Sequence, residues 1–284
     1  MKRALIALLT IAFGAAAAGP PRRIVSLSPN LTEMLYGIGA FGQVVGISDY
    51  CDYPPEVARM PSVGGWTNPS LEKLAAMRPD LVFIDDGQAP FVEDSFRKLG
   101  LRVITVADHT VDDVYSAIAT LGQATGHQVE AAKLIAATRD GLARISQRTA
   151  PLPRPKVVLI VDRTPGTLRD LYTATGGGFL GELVEMAGGR IAVPTTRRGY
   201  EKLSKEDLLA VNPDFILDFI HGVKGRFTGD AMEAWREMPE LKAVRAGHVH
   251  GVEENFVPHA SQRMLQTAEL FARILHPEGH SPTK

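Results

Sequence analysis

The sequence predicts an α/β protein: two Rossmann-like lobes with parallel sheets, joined by one long rigid α-helix. Three observations carry this. Apolar runs of strand length alternate with helical patterns along most of the chain, which is how parallel sheets are wound. A loop–helix–turn–strand unit occurs twice at a fixed separation. Between the two copies, residues 128–148 form an unbroken helical pattern, ended by Pro151, Pro153 and Pro155.

The first copy of the unit runs from Val63 to Asp85. Gly64-Gly65 and Asn68-Pro69 punctuate a loop around Trp66. Ser70 is a helix cap, and Glu72 falls in the first turn, where a negative charge suits the helix dipole. Leu71, Leu74 and Ala75 make the apolar stripe, Pro79 stops the helix, and Leu81-Val82-Phe83-Ile84 is a buried strand. The second copy runs from Ser204 to Leu217. The serines (70 and 204), glutamates (72 and 206), prolines (79 and 213) and aspartates (80 and 214) are all separated by the same 134 residues. Self-similarity at a constant offset is the mark of a duplicated architecture. The turn chemistry does not require the matched glutamate.

The other elements follow in order. Arg22 to Leu27 reads as the first strand. Thr32 to Tyr36 opens a helix ended by Gly37 and Gly39, and Gln43 to Ile47 is a second strand. Pro54-Pro55 keeps residues 48–55 in a loop. Helices are expected over Pro90–Leu99 and Asp112–Gly122, with a buried strand over Leu101–Val106 between them. On the long helix, Val129, Leu134, Ile135, Leu142 and Ile145 are the apolar positions. A helix of that length covers about 30 Å, enough to bridge two lobes. Lys156 to Val161 starts the second lobe. Gly176-Gly177-Gly178 precedes a helix over Phe179–Met186; its spacing fits no nucleotide-binding fingerprint and reads as a loop needing close backbone approach. Thr228–Met238 and Ala260–Leu275 read as helices, and Val249–Val252 as a strand.

The N-terminus reads as a secretory signal. Met1-Lys2-Arg3 is positive, residues 4–13 are an apolar core too short to span a bilayer, and Ala15 to Ala18 offer a cleavage site. No cysteine follows that core, so a lipid anchor is not expected. The chain then divides into a signal peptide (1–18), a first lobe (19–124), a bridging helix (125–150) and a second lobe (151–284). Among its 284 residues, 45% are hydrophobic and 22% charged, enough for real cores. A net charge of −1 gives no basic field for nucleic acid or anionic lipid. The single cysteine, Cys51, cannot form an internal disulfide, and a lone thiol of this kind is expected to be buried and inert.

The loops that end the strands carry the chemistry. Ser28, Asn30, Tyr50, Trp66, Asp85 and Asp86 come from the first half. Asp162, Arg163, Phe179, Arg198, Tyr200, His221, Asn255 and His259 come from the second. In open α/β sheets ligands bind beyond the carboxyl ends of the strands. Two lobes facing each other would form a cleft with aromatic walls and a few polar contacts. Asp85-Asp86 is equally readable as a helix cap. Neither Gly-x-Ser-x-Gly nor His-Glu-x-x-His occurs, and no paired acid and base stand out, so an enzyme is not expected. No metal site is expected either, although His109, His221 and His259 would supply ligands if they converged between the lobes.

Together these residues resemble a known family. Arg23-Ile24-Val25-Ser26-Leu27-Ser28-Pro29-Asn30-Leu31-Thr32-Glu33, Tyr53-Pro54-Pro55, Val63-Gly64-Gly65-Trp66, Leu71-Glu72-Lys73-Leu74, Pro79-Asp80-Leu81-Val82 and Lys98-Leu99-Gly100 are similar to segments of the cobalamin, haem and ferric-siderophore binding proteins of ABC importers. This is the class III, helical-backbone type of periplasmic binding protein. The resemblance implies a soluble, monomeric periplasmic receptor. It further implies one docking glutamate per lobe, here Glu72 and Glu206, set against arginines of a two-fold permease dimer. Trp66 and Tyr50 match aromatic cleft positions of the cobalamin binders, which favours a corrinoid ligand, cobalamin first. The rival is haem or a ferric siderophore. Two departures are plain: Asp85-Asp86 stands where the cobalamin binders are aromatic, and Trp235 is on a helix rather than in a cleft loop.

Overall fold

The structure is a computed structural model that describes residues 19–195, 199–219 and 231–280. The signal-peptide reading, Arg198 and His221 lie outside the described residues.

The first lobe begins with β1 (Ile24–Ser26), α1 (Pro29–Gly37), β2 (Val44–Ile47), α2 (Leu71–Met77) and β3 (Leu81–Asp85). It ends with α3 (Ala89–Lys98), β4 (Val103–Val106) and α4 (Val111–Thr125). Its four strands are all parallel, in the order β2-β1-β3-β4. Helix α5 (Gln128–Thr149) crosses to the second lobe. There follow β5 (Lys156–Asp162), β6 (Leu171–Ala174), α6 (Phe179–Met186), β7 (Arg190–Ile191), β8 (Tyr200–Leu203), α7 (Lys205–Val211) and β9 (Phe215–Phe219). The chain closes with α8 (Ala231–Trp235), α9 (Lys242–Ala246), β10 (Val249–Val252) and α10 (Met264–Leu275). Strands β7, β5, β9 and β10 are parallel and repeat the order of the first sheet. Strands β6 and β8 add an antiparallel arm beside β5.

The repeated Pro-Asp has a structural explanation. Asp80 Oδ2 accepts from the amides of Arg22 and Arg23 at 2.8 and 2.9 Å, at the entry to β1. Asp214 Oδ2 accepts from the Lys156 amide at 2.7 Å, at the entry to β5. The preceding helices end alike. Arg78 and Asn212 are left-handed, at φ 46° and 44°. A basic side chain covers the last carbonyl in each: Arg23 on Met77 O at 2.7 Å, and Lys156 on Val211 O at 2.7 Å. Ser70 and Ser204 cap α2 and α7.

Side chains along the strands alternate between two cores, as a doubly covered sheet requires. Ile24, Leu81 and Phe83 face a cluster that also holds Val157, Leu159 and Leu217, so one core runs through both lobes by way of α4, α5, α6 and α10. Val25, Val82 and Ile84 face a separate cluster under α2 and α3. Val158, Ile160 and Ile216 face another around Trp235 and Leu241.

Several expectations are corrected. The strand at Leu101–Val106 starts at Val103 and is only partly buried, because β4 is the sheet's edge. Val129 is exposed, since the first turn of α5 extends past the core. The closing helix begins at Met264 rather than Ala260, after a turn that serves the lobe seam. The glycine loop does pack backbone to backbone: a Cβ on Gly178 would lie 2.6 Å from Gly199 Cα.

Candidate functional site

Helices in such units run antiparallel to the strands, so the strand ends and the N-termini of α2 and α7 share one edge of each lobe. Contacts between the lobes occur at these edges. At one end of the seam, the Phe179 amide donates to His109 O at 2.7 Å and the Val111 amide to Glu182 Oε2 at 2.8 Å. At the other end, Asn255 Nδ2 donates to Asp52 Oδ2 at 2.8 Å. Beside it, the fully buried Glu33 carboxylate meets His259 Nδ1 at 2.8 Å and Arg263 Nη1 at 2.9 Å, and accepts from the Ser261 hydroxyl. The loop tips of the two lobes lie between these ties.

On the first lobe, Trp66 is half-buried and held in a fixed pose. Its indole Nε1 donates to Asp85 Oδ2 at 2.9 Å, and its ring edge lies against Gly87, where a Cβ would come within 3.2 Å. Buried Gln88 completes the frame by donating to the carbonyls of Leu27 and Trp66, both at 2.9 Å. Burial pushes the Asp85 carboxyl up, against hydrogen bonds from Trp66, Ser28 and Gln88. Phe91 stands 6.2 Å from the Trp66 ring, and Tyr50 is 62% exposed. Next to this aromatic group, Asn30 Nδ2 donates to Asp108 Oδ2 at 2.9 Å and His109 Nε2 meets Asp86 Oδ2 at 2.8 Å. Burial, reinforced by the charge of Asp85, lifts Asp108 to about 7. Burial opposes the His109 imidazolium, but Asp86 outweighs it and the pKa is raised.

On the second lobe, Val161, Asp162, Tyr172, Leu180, Tyr200, Phe219 and Pro258 line a mostly apolar recess of about 400 Å³. Burial of the Tyr200 hydroxyl, with Asp108 nearby, raises its pKa to about 12, although part of the ring remains exposed. A rigid indole, several exposed rings and a hydrophobic recess suit a broad, largely apolar guest with a few polar groups.

The expected site residues separate into groups. Trp66, Tyr50, Asp86 and Tyr200 are at the cleft. Ser28 and Asn30 are buried beneath it and hold Asp85 and Asp108 in place rather than offering open surface. Phe179 is corrected: its ring is 3% exposed in the shared core, and only its amide serves the seam. His259 is corrected as a free ligand contact, because Nδ1 is committed to Glu33. Arg163 pairs with buried Asp218, which also accepts from Trp235 Nε1 at 2.9 Å, so both serve the second lobe's interior. Cys51 is partly buried against Thr32 and Ser48, and burial raises its thiol pKa. Gln88 and Asp108 were missed. The only available signal was their place just beyond β3 and β4.

Glu72 and Glu206 are exposed in the first turns of α2 and α7, with no side-chain partner among the described residues. Two α/β lobes tied by a helix and presenting loop tips to a shared cleft define a substrate-binding protein of the transport type. The chain belongs to the periplasmic binding protein family, whose model matches residues 24–255. It is 28% identical over 265 residues to an uncharacterised ABC transporter substrate-binding lipoprotein of Bacillus subtilis, covering 91% of this chain and 81% of the relative. It is 26% identical over 268 residues to a vitamin B12-binding protein of Yersinia pestis, covering 93% and 88%. The crystal structure of a periplasmic haem-binding protein of Vibrio cholerae shares the fold, with a TM-score of 0.77 at 21% identity over 90% of this chain and 99% of that one. Members of this class bind and deliver substrates and are not enzymes.

Proposed function

We propose that the protein is a monomeric periplasmic receptor that captures a corrinoid, cobalamin first among them, and presents it to the permease dimer of an ABC importer. The observation that carries this reading is Trp66: its indole is bonded to Asp85 and its backbone carbonyl to Gln88 at the mouth of the cleft, beside Phe91 and exposed Tyr50. A rigid aromatic face of this kind packs on a flat macrocycle at little entropic cost. The apolar recess around Tyr200 would take the opposite side of the guest. Likeness to the Yersinia pestis vitamin B12-binding protein supports the corrinoid over other chelates. Residues 1–18 would direct export and be removed, leaving lobes at 19–124 and 151–284 around a bridging segment, 125–150.

Glu72 and Glu206 would dock on the importer. Both occupy the cleft-side edge of their lobes, and the duplicated unit gives each the same helix position. A two-fold permease calls for two such charges. Contacts of this kind govern encounter and orientation more than affinity.

Calorimetric titration with cyanocobalamin, dicyanocobinamide and haemin tests the ligand. The expected result is 1:1 corrinoid binding, weakened at least about tenfold by Trp66→Ala. Haemin binding with a Soret shift, and no heat with either corrinoid, would transfer the assignment to haem.

A further inference from the structure

We propose that Asp86, Asp108 and His109 form a binding site for a divalent transition-metal ion on the first lobe's wall of the cleft. The site comes from two neighbouring parallel strands. Asp86 follows β3, Asp108 and His109 follow β4, and the Asp86 amide donates to Val106 O at 2.9 Å, which fixes the two loops side by side. One ligand atom from each residue lies within 4.8 Å of the others. Small side-chain shifts would bring an imidazole nitrogen and two carboxylate oxygens to about 2.0–2.2 Å from a common ion. One nitrogen and two oxygens suit zinc, cobalt, nickel or manganese rather than a soft-metal thiolate site.

Three further observations favour an ion over a plain hydrogen-bonded pair. Asp86 Oδ1 is buried with no hydrogen-bond partner, leaving a lone pair unused. Asp85, Asp86 and Asp108 crowd together, and no lysine or arginine pairs with any of them among the described residues. Asn30 donates to Asp108 Oδ2 at 2.9 Å, an outer contact that orients this ligand and leaves its other oxygen for an ion.

A second cluster, Glu33, Asp52 and His259, has the same spacing but the opposite electrostatics. Arg263 already supplies Glu33 with a cation, and the remaining Glu33 oxygen accepts from Ser261. Asp52 is engaged by Asn255. An added ion would meet a guanidinium there, whereas the group paired with Asp86 is His109, itself one of the three ligands, which gives up its proton to bind a metal.

The inference does not rest on a corrinoid ligand, and its test omits one. Metal-stripped protein is titrated with Co2+, followed by visible absorbance, and Zn2+ is then added in competition. One Co2+ per chain, with ligand-field bands that Zn2+ abolishes, is expected. Asp86→Asn and His109→Ala should each weaken uptake at least about tenfold, since loss of an outer-shell partner alone costs that much. The His109 side chain is 57% exposed, so His109→Ala should keep the fold, and circular dichroism checks this. Absence of Co2+ uptake would overturn the proposal. So would uptake unchanged in both variants, or uptake lost in His259→Ala but kept in His109→Ala.

Discussion

At the scale of single residues, Trp66 depends on buried groups that hold it in place. Gln88 has no exposure and bridges two carbonyls, so Gln88→Ala would strand acceptors in the interior. Equilibrium urea denaturation should show a loss of about 1–3 kcal/mol, and ligand affinity should fall with it because the indole loses its frame. Asp108 makes a pH prediction. Its carboxyl titrates at about 7 in the folded chain against an ordinary 3.8. The folded state therefore keeps a proton that the unfolded state releases, and this group's contribution to stability declines as pH rises through that window. His109 is raised too, so its contribution also disappears with rising pH, while half-buried His250, whose pKa is lowered, works the other way. The difference between wild type and an Asp108 variant reports Asp108 together with its coupling to His109. In chelator-treated samples, Asp108→Asn should gain thermal stability relative to wild type as pH rises from about 4 to about 7. A gap that stays constant across that range would contradict the assignment.

At the scale of elements, the duplicated unit was legible because its determinants are local. Serine caps, a left-handed helix end and a Pro-Asp turn are all written within a few residues of one another. The α5 helix was legible for the same reason. Strands β6 and β8 were not. Tyr200-Glu201-Lys202-Leu203 is a mostly exposed edge strand with little apolar pattern, and its pairing with Leu171–Ala174 reaches across α6 and β7. The seam around Glu33 was equally silent, since its partners lie more than 220 residues away. Asp108 and Gln88 were hidden because a lone polar residue after a strand resembles an ordinary helix cap. The Glu33 seam should be costly to break. Glu33→Gln would leave Arg263, 17% exposed, without its carboxylate. Chemical denaturation should report a loss of about 3–5 kcal/mol, and a loss under 1 kcal/mol would mean the seam is dispensable.

At the scale of the whole molecule, one core runs from the first sheet to the second, and ties close both ends of the seam. Such a body accommodates its guest by loop adjustment rather than by wide hinge opening. Docking should then be separable from capture. Glu72→Lys with Glu206→Lys should leave ligand affinity within about twofold, because both residues lie outside the cleft walls, while transport into vesicles carrying the importer collapses. Retained transport would remove these glutamates from the importer interface. The central claim is that one guest is held by loop tips of both lobes. Amide hydrogen exchange with and without saturating cyanocobalamin tests it most directly. Slowed exchange is expected around Trp66 and residues 86–91 in the first lobe and around Tyr172 and Tyr200 in the second, with none on the outer face formed by α5 and α10. Protection confined to one lobe, or found on that outer face, would contradict the account.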